Sequence, residues 1–212
     1  MSAGRFITLE GIEGAGKSTV AKALQAELER RGERVLLTRE PGGTPLAESL
    51  RELLLRPANE VLSPTAETLL MFASRAVHLD NAVRPALAAG RWVICDRFTD
   101  ASFAYQGGGR GVDPTFLDRL AAAVHSDLWP ARTLLLDLPV ALGVERARNR
   151  PGAPDRFESE QLAFFERVRA TYLARAAREP QRVRVIDAGR GFEDVVSAAL
   201  AALSDLLPGA AP

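Results

Sequence analysis

Between strand-like and helix-like stretches the chain reads Gly11-Ile12-Glu13-Gly14-Ala15-Gly16-Lys17-Ser18, a G-x-x-x-x-G-K-[ST] spacing whose residue types suit the phosphates of a nucleotide. Glycines at 11, 14 and 16 remove side chains where the backbone must fold tightly, so that successive N–H groups point inward at an anion. Lys17 then reaches the β- and γ-phosphates, Ser18 offers its hydroxyl to Mg²⁺, and the helix N-terminus adds its positive end. Gly11 to Thr19 are therefore the expected ATP contacts, with Mg²⁺ as the accompanying metal. A ligand-free glycine-rich turn would share the glycines. It would not require the whole motif between an apolar run at Phe6–Glu10 and a helical pattern at Lys17–Arg31.

Four further stretches carry chemistry-capable residues: Thr38-Arg39-Glu40-Pro41-Gly42-Gly43-Thr44, Asp96-Arg97-Phe98-Thr99-Asp100, Tyr105-Gln106-Gly107-Gly108-Gly109-Arg110-Gly111, and Arg146-Ala147-Arg148-Asn149-Arg150-Pro151-Gly152 running on to Asp155-Arg156. All four are expected as loops. Glu40-Pro41-Gly42-Gly43 could be an ordinary turn. Arginines at 146, 148 and 150 could be a solvated helix face, but residues two apart do not share such a face. They fit better as a basic segment leaving a helix to close over phosphates.

The elements that must position these residues alternate along the chain. Strands are expected at Arg5–Glu10, Glu33–Thr38, Trp92–Asp96, Thr133–Leu138 and Arg182–Asp187. Helices are expected at Lys17–Arg31, Leu46–Leu55, Pro64–Ala89, Pro114–Val124, Pro139–Arg148, Glu158–Ala177 and Phe192–Leu206. Runs such as Val35-Leu36-Leu37 and Leu134-Leu135-Leu136, apolar throughout, suit a parallel sheet buried on both faces. The expected fold is a three-layer α/β P-loop domain with a five-stranded parallel sheet flanked by helices. It forms a single domain over residues 1–207, with a short arginine-rich lid at about 146–157 and a disordered tail at 208–212. The four stretches fall where strands end at the carboxyl edge, where open α/β sheets bind ligands.

Lysine plus arginine and aspartate plus glutamate both total 27, so the zero formal charge gives no global electrostatic case for a nucleic-acid or membrane partner. Cys95, the one cysteine, sits in the apolar run Trp92-Val93-Ile94-Cys95 and is expected as a buried thiol, which suits a reducing compartment. The chain enters its first strand without a charged-then-apolar leader, and no apolar run reaches membrane-spanning length. A soluble cytoplasmic protein is expected.

Taken together, Glu10 to Ser18, Thr38 to Thr44, Asp96-Arg97-Phe98, Ala104 to Gly109 and the arginine-rich segment resemble the thymidylate kinases, nucleoside-monophosphate kinases that phosphorylate dTMP. The resemblance spans about Phe6 to Asp187 and beyond. It implies that Glu13 meets the 3′-hydroxyl of the monophosphate sugar or a Mg²⁺ water, and that Arg39 and Arg97 hold the acceptor phosphate. It matches Phe72 and Arg75, at i and i+3 of one helix, to residues that stack on thymine and hydrogen-bond its carbonyl; periodicity alone favours core packing for Phe72. Ser102, Tyr105 and Gln106 match the segment along the sugar and base edge, with Tyr105 crowding the 2′ position. Asp96 either helps hold Mg²⁺, as a Walker-B-like carboxylate, or only orients neighbouring arginines. Phe98 departs from the tyrosine of many members.

The P-loop here has no basic side chain at positions 12 to 15, whereas Arg146, Arg148, Arg150 and Arg156 lie in the lid, as in lid-arginine, bacterial-type members. Arg146, Arg148 and Arg150 are thus expected to meet ATP, and Lys17, Arg97, Arg150 and Glu13 to be the catalytic set. The implied reaction is in-line transfer of the γ-phosphoryl of ATP to dTMP, in dTTP synthesis, by a homodimer packed through helices such as Thr65–Leu79. The alternatives are a kinase of another monophosphate or deoxynucleoside and a P-loop nucleotide switch. A guanine-reading Asn-Lys-x-Asp is absent from the sequence, and a switch leaves the acceptor-like stretches unexplained.

Overall fold

The computed structural model describes residues 5–56, 61–149, 156–157 and 160–207. Strands β1 (Phe6–Glu10), β2 (Val35–Arg39), β3 (Trp92–Asp96), β4 (Arg132–Asp137) and β5 (Val183–Asp187) form one sheet in the order β2-β3-β1-β4-β5. Every pairing is parallel.

Side chains alternate along a strand, so a sheet covered on both sides feeds two cores. Ile7 and Leu9 of β1, with Trp92 and Ile94 of β3, pack on Val20, Leu24 and Leu28 of helix α1 (Lys17–Arg30). Phe6, Val93 and Cys95 point the other way, onto Leu79, Val83 and Ala86. This is the three-layer arrangement expected from the apolar runs, and Cys95 is buried as expected.

Helices α2 (Pro45–Leu55) and α3 (Pro64–His78) each begin with proline after a hydroxyl cap, Thr44 and Ser63, which accept from the N–H groups of Ala47 and Ala66. The single helix expected at Pro64–Ala89 is interrupted. After His78 the chain widens into a π-helical turn, Leu79–Val83, before α4 (Arg84–Ala88). The wide turn lies just ahead of Pro85, which has no N–H to offer the helix ladder.

A second difference concerns the stretch from Tyr105 to Gly111, expected as a loop. Helix α5 (Thr99–Ser102) runs directly into a π-helical segment, Phe103–Gly109. A side chain at 108 or 109 would run into Thr171 or Phe164 of α8 (Leu162–Arg178), so these glycines serve close helix packing and not loop freedom. Helices α6 (Pro114–His125), α7 (Val140–Arg148) and α9 (Phe192–Ala201) complete the fold. Helix α9 stops short of the expected Leu206, although Leu203 and Leu207 remain buried in the turns that follow. No helix among the described residues is long and apolar enough to cross a membrane.

Candidate functional site

The carboxyl ends of β1, β2 and β3 open on a cavity of about 540 Å³. At one end lies the glycine-rich loop. Gly11 takes φ 136° and Gly14 φ 73°, and a β-carbon at either would strike a carbonyl, that of Leu136 or of Gly143 respectively. Only glycine permits this close approach. Ile12 and Ala15 bury their side chains in the core, leaving their backbone to the cradle, while Ser18 and Thr19 reach the cavity wall.

Lys17 is buried and donates to the carbonyls of Gly11 at 3.1 Å and Ile12 at 2.9 Å. An ammonium has three N–H groups, so one remains for a phosphate oxygen. Burial, reinforced by the Arg97 charge, brings its pKa down to about 8. Anionic phosphate would restore the full charge. Ser18 donates its hydroxyl to Asp96 Oδ2 at 2.7 Å, which brings the two expected metal-associated residues together. Hydroxyl and carboxylate oxygens are the hard donors that Mg²⁺ takes.

Mid-cavity, Arg97 is the one non-glycine residue with positive φ, 72°, among those described. Its guanidinium donates to the Gly11 carbonyl at 3.1 Å and to Glu13 Oε1 at 2.9 Å, and lies 4.6 Å from the Tyr105 ring centroid. Glu13 Oε2 accepts from the Tyr105 hydroxyl at 2.7 Å. Arg39 stands half-exposed at the rim, paired with Glu48 of α2 at 2.8 Å.

Farther in, Arg75 is buried, with Nε on Glu40 Oε2 at 2.8 Å and Nη2 on Phe98 O and Ser102 Oγ. Glu40 is fixed in turn by His78 at 2.9 Å. Arg75 also lines the cavity, and its buried Nη1 has no hydrogen-bond partner among the described residues. Ser102 and Gln106 also line the wall, Gln106 held by Glu67 at 2.8 Å.

Phe72 is not among the residues that line the cavity. Its ring is buried with Phe103, Leu117 and Ala121, and Arg75 lies over it at 4.6 Å. Met71, one residue earlier, is on the cavity wall instead. The helix geometry accounts for this: at 100° per residue, a side chain four before Arg75 lies closer to its direction than one three before. Sequence reasoning also passed over Arg51, Leu55 and Phe157, which line the cavity. An apolar residue at i−4 from Arg75 was the available signal for Met71; the other three come from elements whose approach only the fold defines.

The basic segment is divided. Arg146 reaches the cavity wall and donates to the Ala188 carbonyl at 2.9 Å. Arg148 is exposed on the last turn of α7 and is not among the lining residues. Arg156 is drawn away to α2 and α3, donating to the Leu54 carbonyl and to Glu67 Oε2 at 2.7 Å. Arg150, the expected catalytic finger, lies outside the described residues, as do 151–155 of the expected lid and the tail from 208.

Comparison with known proteins gives a single result. A family model described as thymidylate kinase matches residues 9–199. A thymidylate kinase from Chromohalobacter salexigens is 57% identical over 208 residues, covering 98% of each chain. One from Pseudomonas savastanoi pv. phaseolicola is 56% identical over 205 residues, covering 97% of this chain and 95% of that one. The crystal structure of a thymidylate kinase from Ehrlichia chaffeensis superposes with a TM-score of 0.72 at 34% identity, covering 87% of this chain and 93% of the other.

Proposed function

The chain belongs to the thymidylate kinase family, and from that premise we infer the reaction: it transfers the γ-phosphoryl of ATP to dTMP, releasing dTDP and ADP in the synthesis of dTTP. The observation that carries the assignment of substrates to the cavity is its polarity from end to end. A phosphate cradle with Lys17 stands at one end, the polar wall of Arg75, Ser102 and Gln106 at the other, and Arg97 between them.

We assign the donor phosphates to the N–H groups of the Gly11–Thr19 loop, to Lys17 and to Arg146. Arg97 and Arg39 take the acceptor phosphate, since guanidinium forks grip phosphate oxygens in a bidentate way. Arg75, Ser102, Gln106 and Met71 face the base, and Glu13 and Tyr105 the sugar. The acceptor phosphate is already an anionic nucleophile near neutral pH, so no strong general base is needed. What the side chains must offset is repulsion between two anions, and Lys17 and Arg97 meet at that gap. Ser18 and Asp96 would hold Mg²⁺, which supplies charge neutralisation of the donor phosphates when bound. In the same reading Arg150 and Arg148 approach ATP from a lid that excludes water, within one domain.

We further propose a homodimer. Leu46 and Leu53 of α2 and Leu69 of α3 are exposed large apolar side chains, at a spacing that favours helix-to-helix contact. A cytoplasmic setting agrees with the buried thiol of Cys95 and with a zero formal charge that gives no pull toward nucleic acid or membrane.

A coupled ADP-release assay with a panel of nucleoside monophosphates and a no-acceptor control tests the reading. ADP release with dTMP should far exceed that with ATP and Mg²⁺ alone. Equal rates would favour a nucleotide switch, and a preference for another monophosphate would reassign the acceptor.

A further inference from the structure

Glu10 ends β1, is wholly buried, and takes no part in the substrate contacts assigned above. Its carboxylate is nonetheless fully engaged. Oε1 accepts from the N–H of Phe98 at 2.8 Å and of Ala101 at 3.3 Å, and Oε2 accepts from the Tyr172 hydroxyl at 2.7 Å.

These contacts frame one strained residue. Arg97, at φ 72°, sits in the left-handed region that non-glycine residues avoid unless the surroundings over-determine it. Its own N–H donates to the Leu9 carbonyl at 2.9 Å. The next N–H, that of Phe98, goes to the Glu10 carboxylate. Two consecutive residues of β1 therefore hold the peptide groups on both sides of Arg97. The conformation so fixed turns the guanidinium back over the glycine-rich loop, onto the Gly11 carbonyl and Glu13. Tyr172 closes the frame, since its oxygen is 3.4 Å from Arg97 Nη1 as well as hydrogen-bonded to Glu10.

We propose that Glu10 is a positioning residue for phosphoryl transfer: through the Phe98 N–H it holds Arg97 in its left-handed conformation and so aims the guanidinium at the acceptor phosphate. The proposal rests on the reading of Arg97 as an acceptor-phosphate ligand. Burial, with the Asp100 charge adding to it, raises the Glu10 pKa to about 7.

Three variants test it. Glu10→Asp withdraws the carboxylate by one methylene from Phe98 N–H, and Glu10→Gln preserves reach and an accepting oxygen. Tyr172→Phe removes the hydroxyl that pins Oε2 and is near-isosteric, so it serves if Glu10→Asp fails to fold. Each is measured for dTMP-dependent kcat/KM and for ATP Kd in the absence of acceptor. Glu10→Asp should lose about 30-fold or more in kcat/KM for dTMP while ATP Kd moves less than about threefold, and Glu10→Gln should recover most of that loss. Tyr172→Phe should show a smaller split of the same sign. Equal losses toward dTMP and ATP, or variants that match the parent, overturn the proposal. The parent enzyme separates the two readings: without dTMP-dependent turnover in the parent, the acceptor assignment itself fails.

Discussion

The Tyr105 hydroxyl and the Glu13 carboxylate are joined by a 2.7 Å hydrogen bond, so the ring assigned to the sugar and the acid of the phosphate loop move as one unit. The ring is held besides by edge contacts with Phe157, Phe164 and Tyr172. A ring so fixed cannot yield to an added 2′-hydroxyl. Tyr105→Ala should narrow the ratio of kcat/KM between dTMP and its ribo counterpart by about 10-fold or more. Tyr105→Phe should keep the ratio while freeing Glu13. An unchanged ratio in the alanine variant would put the ring elsewhere.

Lys17 is expected to trade stability for catalysis. Its folded pKa of about 8 lies below the usual 10.5, so between those values the unfolded chain binds the extra proton and stability rises with pH. Below that window the folded protein bears the cost of a charged, buried ammonium. Lys17→Met should therefore stabilise the protein at pH 7 by roughly 1–3 kcal/mol, with the gain shrinking toward pH 10. The same variant should lose several kcal/mol of transition-state stabilisation, roughly a thousandfold in turnover. Thermal melts across pH alongside kcat measurements check both halves; a folded variant with parental turnover would contradict the cradle assignment.

For Glu10 the sign is reversed in pH. The folded pKa of about 7 exceeds the usual 4.5, so the native state binds the proton more tightly, and stability falls as pH rises from 4.5 to about 7. The charged groups acting on it are Asp100, which raises the value, and Arg97, which lowers it, together with the Tyr172 hydroxyl; Lys17 and Cys95 feel it in return. Glu10→Gln should lack this slope and be the more stable protein at pH 8. Urea midpoints at pH 5, 6, 7 and 8 give the comparison, and parallel curves for the two proteins would refute it.

Met71 and Phe72 should separate cleanly. Met71→Ala removes cavity wall and is expected to raise KM for dTMP with a small change in Tm. Phe72→Ala opens a hole under Arg75 in a buried cluster and should destabilise by about 3–5 kcal/mol. If Phe72→Ala instead left stability intact and damaged only dTMP binding, the side-chain placement would be wrong.

The lid arginine remains the sequence-derived assignment, at Arg150. An arginine that meets the γ-phosphoryl only after closure lowers the barrier more than it aids binding. With Arg146 and Arg148 able to compensate in part, Arg150→Ala should reduce kcat about 10- to 1,000-fold while ATP Kd barely moves. Single-turnover kinetics at saturating dTMP decide it, since a defect cured by saturation would make Arg150 a binding residue.

Much of this architecture was legible in the residues. The apolar runs located five strands within two residues at their ends; the central β1, β3 and β4 are buried on both faces, while the edge strands β2 and β5 are only partly buried and still read as apolar runs. The cradle was legible because Gly11 and Gly14 occupy dihedrals and clearances that no other residue tolerates. That Met71 and not Phe72 lines the cavity was not legible, because choosing between i−3 and i−4 depends on which way α3 is rolled on the sheet, and that is a tertiary quantity. The stretch 105–111 reads as a loop because glycines in a row read as freedom, whereas Gly108 and Gly109 admit α8. Glu10 ends an otherwise apolar strand, and nothing in its spacing tells that two N–H groups from residues 98 and 101 will arrive there.

The glycines at 108 and 109 bear on how this chain can drift. Neither lines the cavity, yet α8 rests on them, and α8 carries the Tyr172 that pins Glu10. A methyl group added at 108 would lever that helix outward against Thr171. In a saturation-mutagenesis map these positions should therefore appear as intolerant as the phosphate loop, and a reader ranking sites by intolerance alone would take a packing notch for a place where nucleotide binds.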